Sequence, residues 1–425
     1  YADSEADWNT QMTALHADLL RYNQLYDIYN HYDGMTNLAD VNAGAAAAPV
    51  AVGDEIMNLL TFAQEMYQAT DGACNAAAGA VLRYWHDART AAGDGVDVSA
   101  DILPKTADLQ AAAAHCNMDD LILNQNTGTV YFADPELQLD VGSIGKGYAV
   151  EQCAQAAEAR GLRMLCGKVL MDRNCPADLR DTAAGGIADS LRLIERWHGR
   201  GRLRYSLTPR FAPTSSPEQL RLTGELLASQ PGLHLQTHLA ETPAELDWVQ
   251  QLFPERRSYL DVYQHYGLAG PRSLHAHCIH LGAAERRSMA DSGAAAAFCP
   301  GPNLFLGSGF FDLAESRSAG LRVGLATDIG AGTGFSLLRT LAQAYEVGQA
   351  CRAPLSAPRG FYLATLGGAR ALYLDDCIGS FQPGREADFI ALDWAATPEL
   401  AWRMERCQGL AERLFALMML GDAPG

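Results

Sequence analysis

The sequence predicts an α/β fold: an incomplete (β/α)8 TIM-type barrel with a small accessory β-sheet, preceded by an α+β domain fragment. Two observations carry this. From Met164 onward, short apolar runs alternate with helical stretches rich in Ala, Leu and Arg, which is the rhythm of parallel β/α units. Three of those runs end on reactive residues: Gln236-Thr237-His238-Leu239-Ala240-Glu241, Ala276-His277-Cys278-Ile279-His280-Leu281 and Ala326-Thr327-Asp328-Ile329-Gly330. A parallel barrel gathers such strand ends on one face.

Taken in order, residues 1–30 predict a helix, because Trp8, Met12, Leu15, Leu19 and Leu20 recur at helical spacing. Tyr32-Asp33-Gly34-Met35 reads as a turn, and Asp54 to Tyr67 as a second amphipathic helix ending near Thr70-Asp71-Gly72. Leu121-Ile122-Leu123 and Thr129-Val130-Tyr131-Phe132 predict a hairpin around Asn124-Gln125-Asn126-Thr127-Gly128. Leu137–Val141 alternates as a strand, and Gly142-Ser143-Ile144-Gly145-Lys146-Gly147 leads into a helix from Tyr148 to about Arg160. The candidate barrel strands are Lys168–Met171, Leu203–Leu207, Leu233–Thr237, Ser273–Ala276, Ala294–Phe298 and Val323–Ala326, six where a closed barrel needs eight. The stretch from Ile378 to Leu392 reads as strands of the accessory sheet. Domains are expected at 1–160 and 161–425.

An apolar fraction of 48% and a charged fraction of 19% are those of a globular protein with a large core. No apolar stretch reaches the ~18 residues that would span a membrane. No signal peptide is read, although the chain opens on Tyr1 without Met. The ten cysteines are scattered and form no Cys-X-X-Cys, so reduced thiols in a cytoplasmic protein are expected. Residues 1–163 carry 7 Lys and Arg against 23 Asp and Glu; the remainder carries 25 against 27. Neither part has the basic balance that would neutralise phosphates, so nucleic acid is not expected as a partner. The sharp shift in charge indicates two segments of different origin.

His238 ends one predicted strand, with Glu241 three residues on; His277 and Asp328 end two others. Two His, an Asp and a nearby Glu are the parts of a zinc hydrolase. Glu241 is placed to take a proton from the attacking water and hand it to a leaving amine.

These residues, with Gly167-Lys168-Val169-Leu170-Met171-Asp172-Arg173-Asn174, Ser206–Phe211, Ser258–Tyr263, Cys299–Gly307 and Phe361–Leu372, resemble the guanine deaminase family of the amidohydrolase superfamily from about 164 to 422. The resemblance implies zinc-dependent hydrolysis of guanine, a small-molecule purine, to xanthine and ammonia, commonly by a homodimer. His238 and Asp328 match zinc ligands, Glu241 the proton shuttle, and His277 the residue that holds the attacking hydroxide. Arg210 and Phe211 match the residues that bind and stack the purine. The family's first-strand His-X-His has no counterpart in residues 1–163, which hold only His16, His31, His86 and His115. Impaired activity is expected.

The amino-terminal part resembles FAD:protein FMN transferase over about residues 17–157. The matching strings are Tyr26-Asp27-Ile28-Tyr29-Asn30, Glu65-Met66-Tyr67, Thr70-Asp71-Gly72, Val81–Asp87 and Leu139–Ala149. The resemblance implies that Thr70, Asp71, Gly72, Asp140, Ser143 and Lys146 contribute to holding FAD and Mg. Glycines at a strand-to-helix turn let backbone amides approach a phosphate. The family's carboxy-terminal Mg ligands have no match after residue 157. The sequence therefore reads as a transferase lacking its tail joined to a deaminase lacking its head, with a non-functional chimera as the alternative.

Overall fold

The computed structural model describes residue 17, residues 20–92, residues 103–386 and residues 388–421. Trp8, Met12, Leu15 and Leu19 of the first expected helix lie outside the described residues. The chain divides between Arg160 and Gly161 into two compact units.

In the first unit, helix Asp54–Ala69 buries Ile56, Leu59, Leu60 and Ala63, one face at i, i+3, i+4 and i+7 spacing. Strands β1 (Val50–Ala51), β2 (Leu121–Asn124) and β3 (Thr129–Phe132) form an antiparallel sheet in the order β1-β3-β2. The β2–β3 hairpin forms where its turn residues predict it. Asn124 Oδ1 accepts from the amides of Asn126 and Thr127, and Gly128 takes a φ of 63° that favours glycine.

The strand expected over Leu137–Val141 reduces to one bridge between Gln138 and Ala78. A side chain replaces the ladder there: Asn42 Oδ1 accepts from the Leu139 amide at 2.7 Å and Asn42 Nδ2 donates to the Leu139 carbonyl at 3.0 Å. The helix that follows runs Gly145–Ala159, one turn earlier than its apolar pattern suggests.

The second unit is built on one parallel sheet. Its strands are β4 (Met164–Cys166), β5 (Val169–Leu170), β6 (Leu203–Pro209), β7 (His234–Leu239), β8 (Ser273–His277), β9 (Ala295–Phe298) and β10 (Arg322–Leu325). β6 to β10 lie in sequence order, and β4 and β5 both pair with β6. Met164 lies opposite Leu203 and Val169 opposite Thr208, so β4 and β5 are one strand in constant register, interrupted at Gly167-Lys168. Only glycine fits at the interruption, since a Cβ on Gly167 would sit 2.0 Å from the Ser206 carbonyl oxygen.

Six strand positions are thus filled, as the six apolar runs predict. Among the described residues no pairing joins β10 to β4. The sheet is a curled half-barrel in which β9 is buried throughout. Leu235, Leu239, Phe298 and Val323 pack with Leu260 and Tyr263 in its main core. No helix among the described residues is long and apolar enough to cross a membrane.

The accessory sheet expected over 378–392 is not formed: no strand occurs there among the described residues. A strand needs a neighbour to take its amides and carbonyls, and here the bonds close locally, with the Glu386 amide donating to the Cys377 carbonyl at 2.8 Å. Phe381 is left 89% exposed. Charge holds this segment to the sheet instead. Arg163 Nη2 donates to Glu386 Oε2 at 2.7 Å; Arg202 Nη1 donates to the same oxygen at 2.9 Å and to Asp388 Oδ1 at 2.8 Å.

Partial burial opposes ionisation of Glu386, and the Arg163 and Arg202 guanidiniums more than offset it, holding its carboxyl below the usual Glu range. A depressed carboxylate stabilises the fold above its unfolded pKa of about 4.3, and that stabilisation is lost as pH falls through the folded value. Glu386→Gln is therefore expected to lower the unfolding free energy by about 1 kcal/mol at pH 7 and by much less at pH 3. Urea denaturation at the two pH values measures this, and an equal loss at both would contradict the assignment.

Candidate active site

The carboxyl ends of β6, β7, β8 and β10 bring together Arg210, Phe211, His238, Glu241, His277 and Asp328. The carbonyl of Arg210, the residue after β6, organises the first part. It accepts from the His238 amide at 3.2 Å, from His238 Nδ1 at 2.8 Å and from Thr237 Oγ1 at 3.2 Å. A carbonyl only accepts, so His238 Nδ1 carries the proton and Nε2 carries the lone pair. Burial, with the neighbouring His277 ring, pushes the His238 imidazole below its usual value and keeps it neutral at pH 7.

Two buried tyrosines of helix Tyr259–His265 hold β7 from behind. The Tyr263 hydroxyl donates to the His238 carbonyl at 2.9 Å, and the Tyr259 hydroxyl donates to Glu245 Oε1 at 2.8 Å. Glu245 Oε2 in turn accepts from the Glu241 amide at 2.9 Å. This network sets the loop that carries Glu241, whose Oε1 accepts from Ser308 Oγ at 2.9 Å.

His277 is fully buried. Its Nδ1 pairs with Asn303 Oδ1 at 2.9 Å, so Nδ1 is the protonated nitrogen. Its Nε2 faces two carboxylates, Glu241 Oε2 at 3.6 Å and Asp328 Oδ2 at 3.9 Å. The His238 and His277 rings are 5.3 Å apart. Burial raises the Asp328 carboxyl, against the pull of His277 and His238. At the turns the backbone is strained: Ala240, His277, Cys278 and Asp328 have φ of 53°, 70°, 51° and 47°. Non-glycine residues in this region cost of order 1–3 kcal/mol each and concentrate at functional sites.

Phe211 stands beside His238 with ring centroids 6.2 Å apart, and packs edge-on against Trp248 at 6.1 Å. The Arg210 guanidinium lies 5.5 Å over the Phe211 ring. Together they make an apolar face with a cationic rim, next to the acid and imidazole cluster.

The structure adds residues the sequence reading passed over. Cys299 follows β9 as His277 follows the body of β8, and His277, Cys299 and Asp328 offer a nitrogen, a sulfur and an oxygen within 4.8 Å of one another. Burial, then Asp328, pushes the Cys299 thiol up to about 12. The signal was available, since Cys299 is a polarisable residue at the end of an apolar run. Asn303 and Ser308, within the matched string 299–307 and one residue past it, had no such signal.

The other expected residues lie in the amino-terminal unit. Thr70 Oγ1 donates to the Met66 carbonyl and accepts from the Cys74 amide, closing the turn in which Asp71 and Gly72 have φ of 52° and 83°. Asp140 Oδ1 accepts from the Gly142 amide at 2.8 Å. Cys74 Sγ and Ser143 Oγ, 3.9 Å apart, bring these two turns side by side. Lys146 stands in the first turn of helix Gly145–Ala159.

Comparison with known proteins agrees with both parts. The Amidohydrolase family model matches residues 136–415, and the ApbE family model matches residues 4–166. Guanine deaminase of Escherichia coli strain K12 is 48% identical over 274 residues, which are 64% of this chain and 62% of that protein. The chain thus spans less than two thirds of that relative's length. Among solved structures, E. coli guanine deaminase superposes with a TM-score of 0.63 at 48% identity, covering 64% of this chain and 63% of that one. Guanine deaminase from C. acetobutylicum with bound guanine gives 0.59 at 29%, covering 65% of each. An adenosine deaminase from Xanthomonas campestris with bound zinc gives 0.56 at 25%, covering 62% of this chain and 59% of that one. By the extent of the family match and the half-barrel it lies on, this chain belongs to the amidohydrolase family.

Proposed function

We propose that the carboxy-terminal unit is a zinc-dependent aminohydrolase acting on guanine. The observation that carries this is the convergence of His238, Glu241, His277 and Asp328 at the ends of three parallel strands, with His277 Nε2 facing both carboxylates. The similarity to guanine deaminases supports the choice of substrate. The donor set suits a divalent ion, because the neutral His238 imidazole, presenting Nε2, and the Asp328 carboxylate are zinc-ligating groups. His238 and Asp328 would hold the ion. Zinc supplies Lewis acidity that makes water acidic near neutral pH.

The chain's own residues account for the rest. Phe211 offers a flat apolar face for the purine ring, and Arg210 a donor for its carbonyl edge. Ser308 holds one oxygen of the Glu241 carboxylate, Glu245 holds the Glu241 backbone amide, and the second Glu241 oxygen reaches toward His277. Glu241 takes the proton of the attacking water and delivers it to the exocyclic amine, which leaves as ammonia while the ring carbon gains the oxygen. His277, buried and oriented by Asn303, directs Nε2 at the attacking oxygen. Residues 1–163 contain no His-X-His, so this centre works with fewer histidine donors than the resemblance calls for, and slow turnover is expected.

Ammonia release from guanine, with zinc measured on the same sample, tests this reading. Glu241→Gln is expected to lower the rate at least about 100-fold with bound zinc unchanged; an unaltered rate would remove Glu241 from the proton path. Asn303→Ala, which frees the His277 ring, is expected to lower the rate about 10- to 100-fold.

A second reading attaches to the amino-terminal unit, because the Thr70–Gly72 and Asp140–Ser143 turns meet at Cys74 and Ser143. By the family resemblance, this pair of turns would hold FAD. FAD fluorescence is expected to be quenched on titration with the full chain in the presence of Mg. Unchanged fluorescence would sink this reading.

A further inference from the structure

We propose that a cleft at the amino end of β10 binds a small polyphosphate, free or carried on a nucleotide, through the guanidiniums of Arg317, Arg322 and Arg359. The cleft measures about 770 Å³ and is walled by helices Leu313–Ser318, Ala357–Ala364 and Leu366–Ala371 and by the first residues of β10. Arg322 opens that strand and Asp328 follows its far end, so the cleft is separate from the site above. Its lining carries four arginines, Arg317, Arg322, Arg359 and Arg370, against the single carboxylate of Asp375. Residues 164–425 carry 25 Lys and Arg against 27 Asp and Glu, so this local excess comes from placement and not from composition.

Three of the four guanidiniums lack an anionic partner. Arg317 and Arg359 make no side-chain hydrogen bond or ion pair among the described residues. Arg322 lies over the Tyr373 ring, its guanidinium carbon 4.1 Å from the centroid. Arg370 is committed: its Nη1 donates to the Tyr362 hydroxyl at 3.1 Å, and its Nε faces Asp375 Oδ2 at 3.7 Å. The one acid of the cleft is thus taken by the one arginine that already has a partner. Like charges gathered around one cleft repel, and each guanidinium fork matches a pair of phosphate oxygens.

Arg359 adds a second conflict of the same sign. It is the third residue of helix Ala357–Ala364, where the positive end of the helix dipole opposes a cation. No acid stands in that first turn, and the N-cap Ser356 makes no side-chain hydrogen bond. An anion seated between the arginines relieves both conflicts at once. Three free guanidiniums match the charge of a di- or triphosphate, and a monophosphate leaves part of it unmet. The volume lies within the roughly 300–1,000 Å³ of small-ligand sites, enough for a nucleotide. Tyr362, on the same wall and 38% exposed, offers a ring on which a base can stack.

Isothermal titration calorimetry of the full chain tests this at low salt, with inorganic triphosphate and separately with ATP, both free of divalent metal. Binding that weakens steeply as salt is raised is expected. Arg317→Ala and Arg359→Ala should each weaken it at least about tenfold. Arg221→Ala, which removes an exposed arginine already paired with Glu218 and Glu225, should leave it unchanged. Arg359→Ala should also raise the thermal midpoint of the free chain, since a cation leaves the helix start; a residue that merely holds the fold together would lower it. ATP binding tighter than triphosphate, with the difference lost in Tyr362→Ala, supports the proposal with a nucleotide as ligand. ATP binding no tighter than triphosphate supports it with the free polyphosphate. Absence of binding by both, or binding that survives in the Arg317→Ala/Arg359→Ala double variant, overturns it.

Discussion

One buried hydrogen bond, from His277 Nδ1 to Asn303 Oδ1, decides which face of the imidazole meets the two carboxylates. A histidine shielded from water has only the partners the fold supplies, and the tautomer follows from them. With Nδ1 committed, Nε2 is the nitrogen that faces Glu241 and Asp328. The carboxylates come from different strands, so their meeting point exists only because β7, β8 and β10 are parallel and end together. Sheet order, turn conformation and ring orientation thus converge on one nitrogen.

The end of β7 shows how such precision is kept. Its carbonyl is held by Tyr263, its His238 ring by the Arg210 carbonyl, and the loop beyond it by Glu245, which is itself fixed by Tyr259. The Tyr263, Tyr259, Glu245 and Arg210 groups of this layer are paired with one another or with β7. In a medium of low polarisability, leaving one unmatched would cost about 1–3 kcal/mol, so the layer behaves as one rigid piece. The strain at Ala240, His277, Cys278 and Asp328 is sustained by this rigidity.

Much of this was legible in the sequence. The six apolar runs marked the six strand positions because parallel strands are buried on both faces and leave no polar alternation. His238, His277 and Asp328 could be located because each closes such a run. What escaped has a common cause: Asn303, Ser308, Glu245 and the two tyrosines act on other side chains rather than on substrate, and their pairing is set by tertiary contact with no local pattern. Cys299 does end an apolar run, but only its neighbours His277 and Asp328 separate it from an ordinary core cysteine. The two misplaced strands, 137–141 and 378–392, alternate correctly in composition. Alternation states only that a segment could pair; the partner decides, and in one case Asn42 took that place.

The arginine pair at the start of the sheet has a mechanical consequence. Arg163 and Arg202 fasten the stretch around Glu386 and Asp388 by charge, while aromatic rings such as Phe381 beside it remain in water. At molar salt, where the screening distance shrinks to about 3 Å, that fastening slackens first and the greasy core of the sheet last. The stretch therefore works as a tether with an ionic latch.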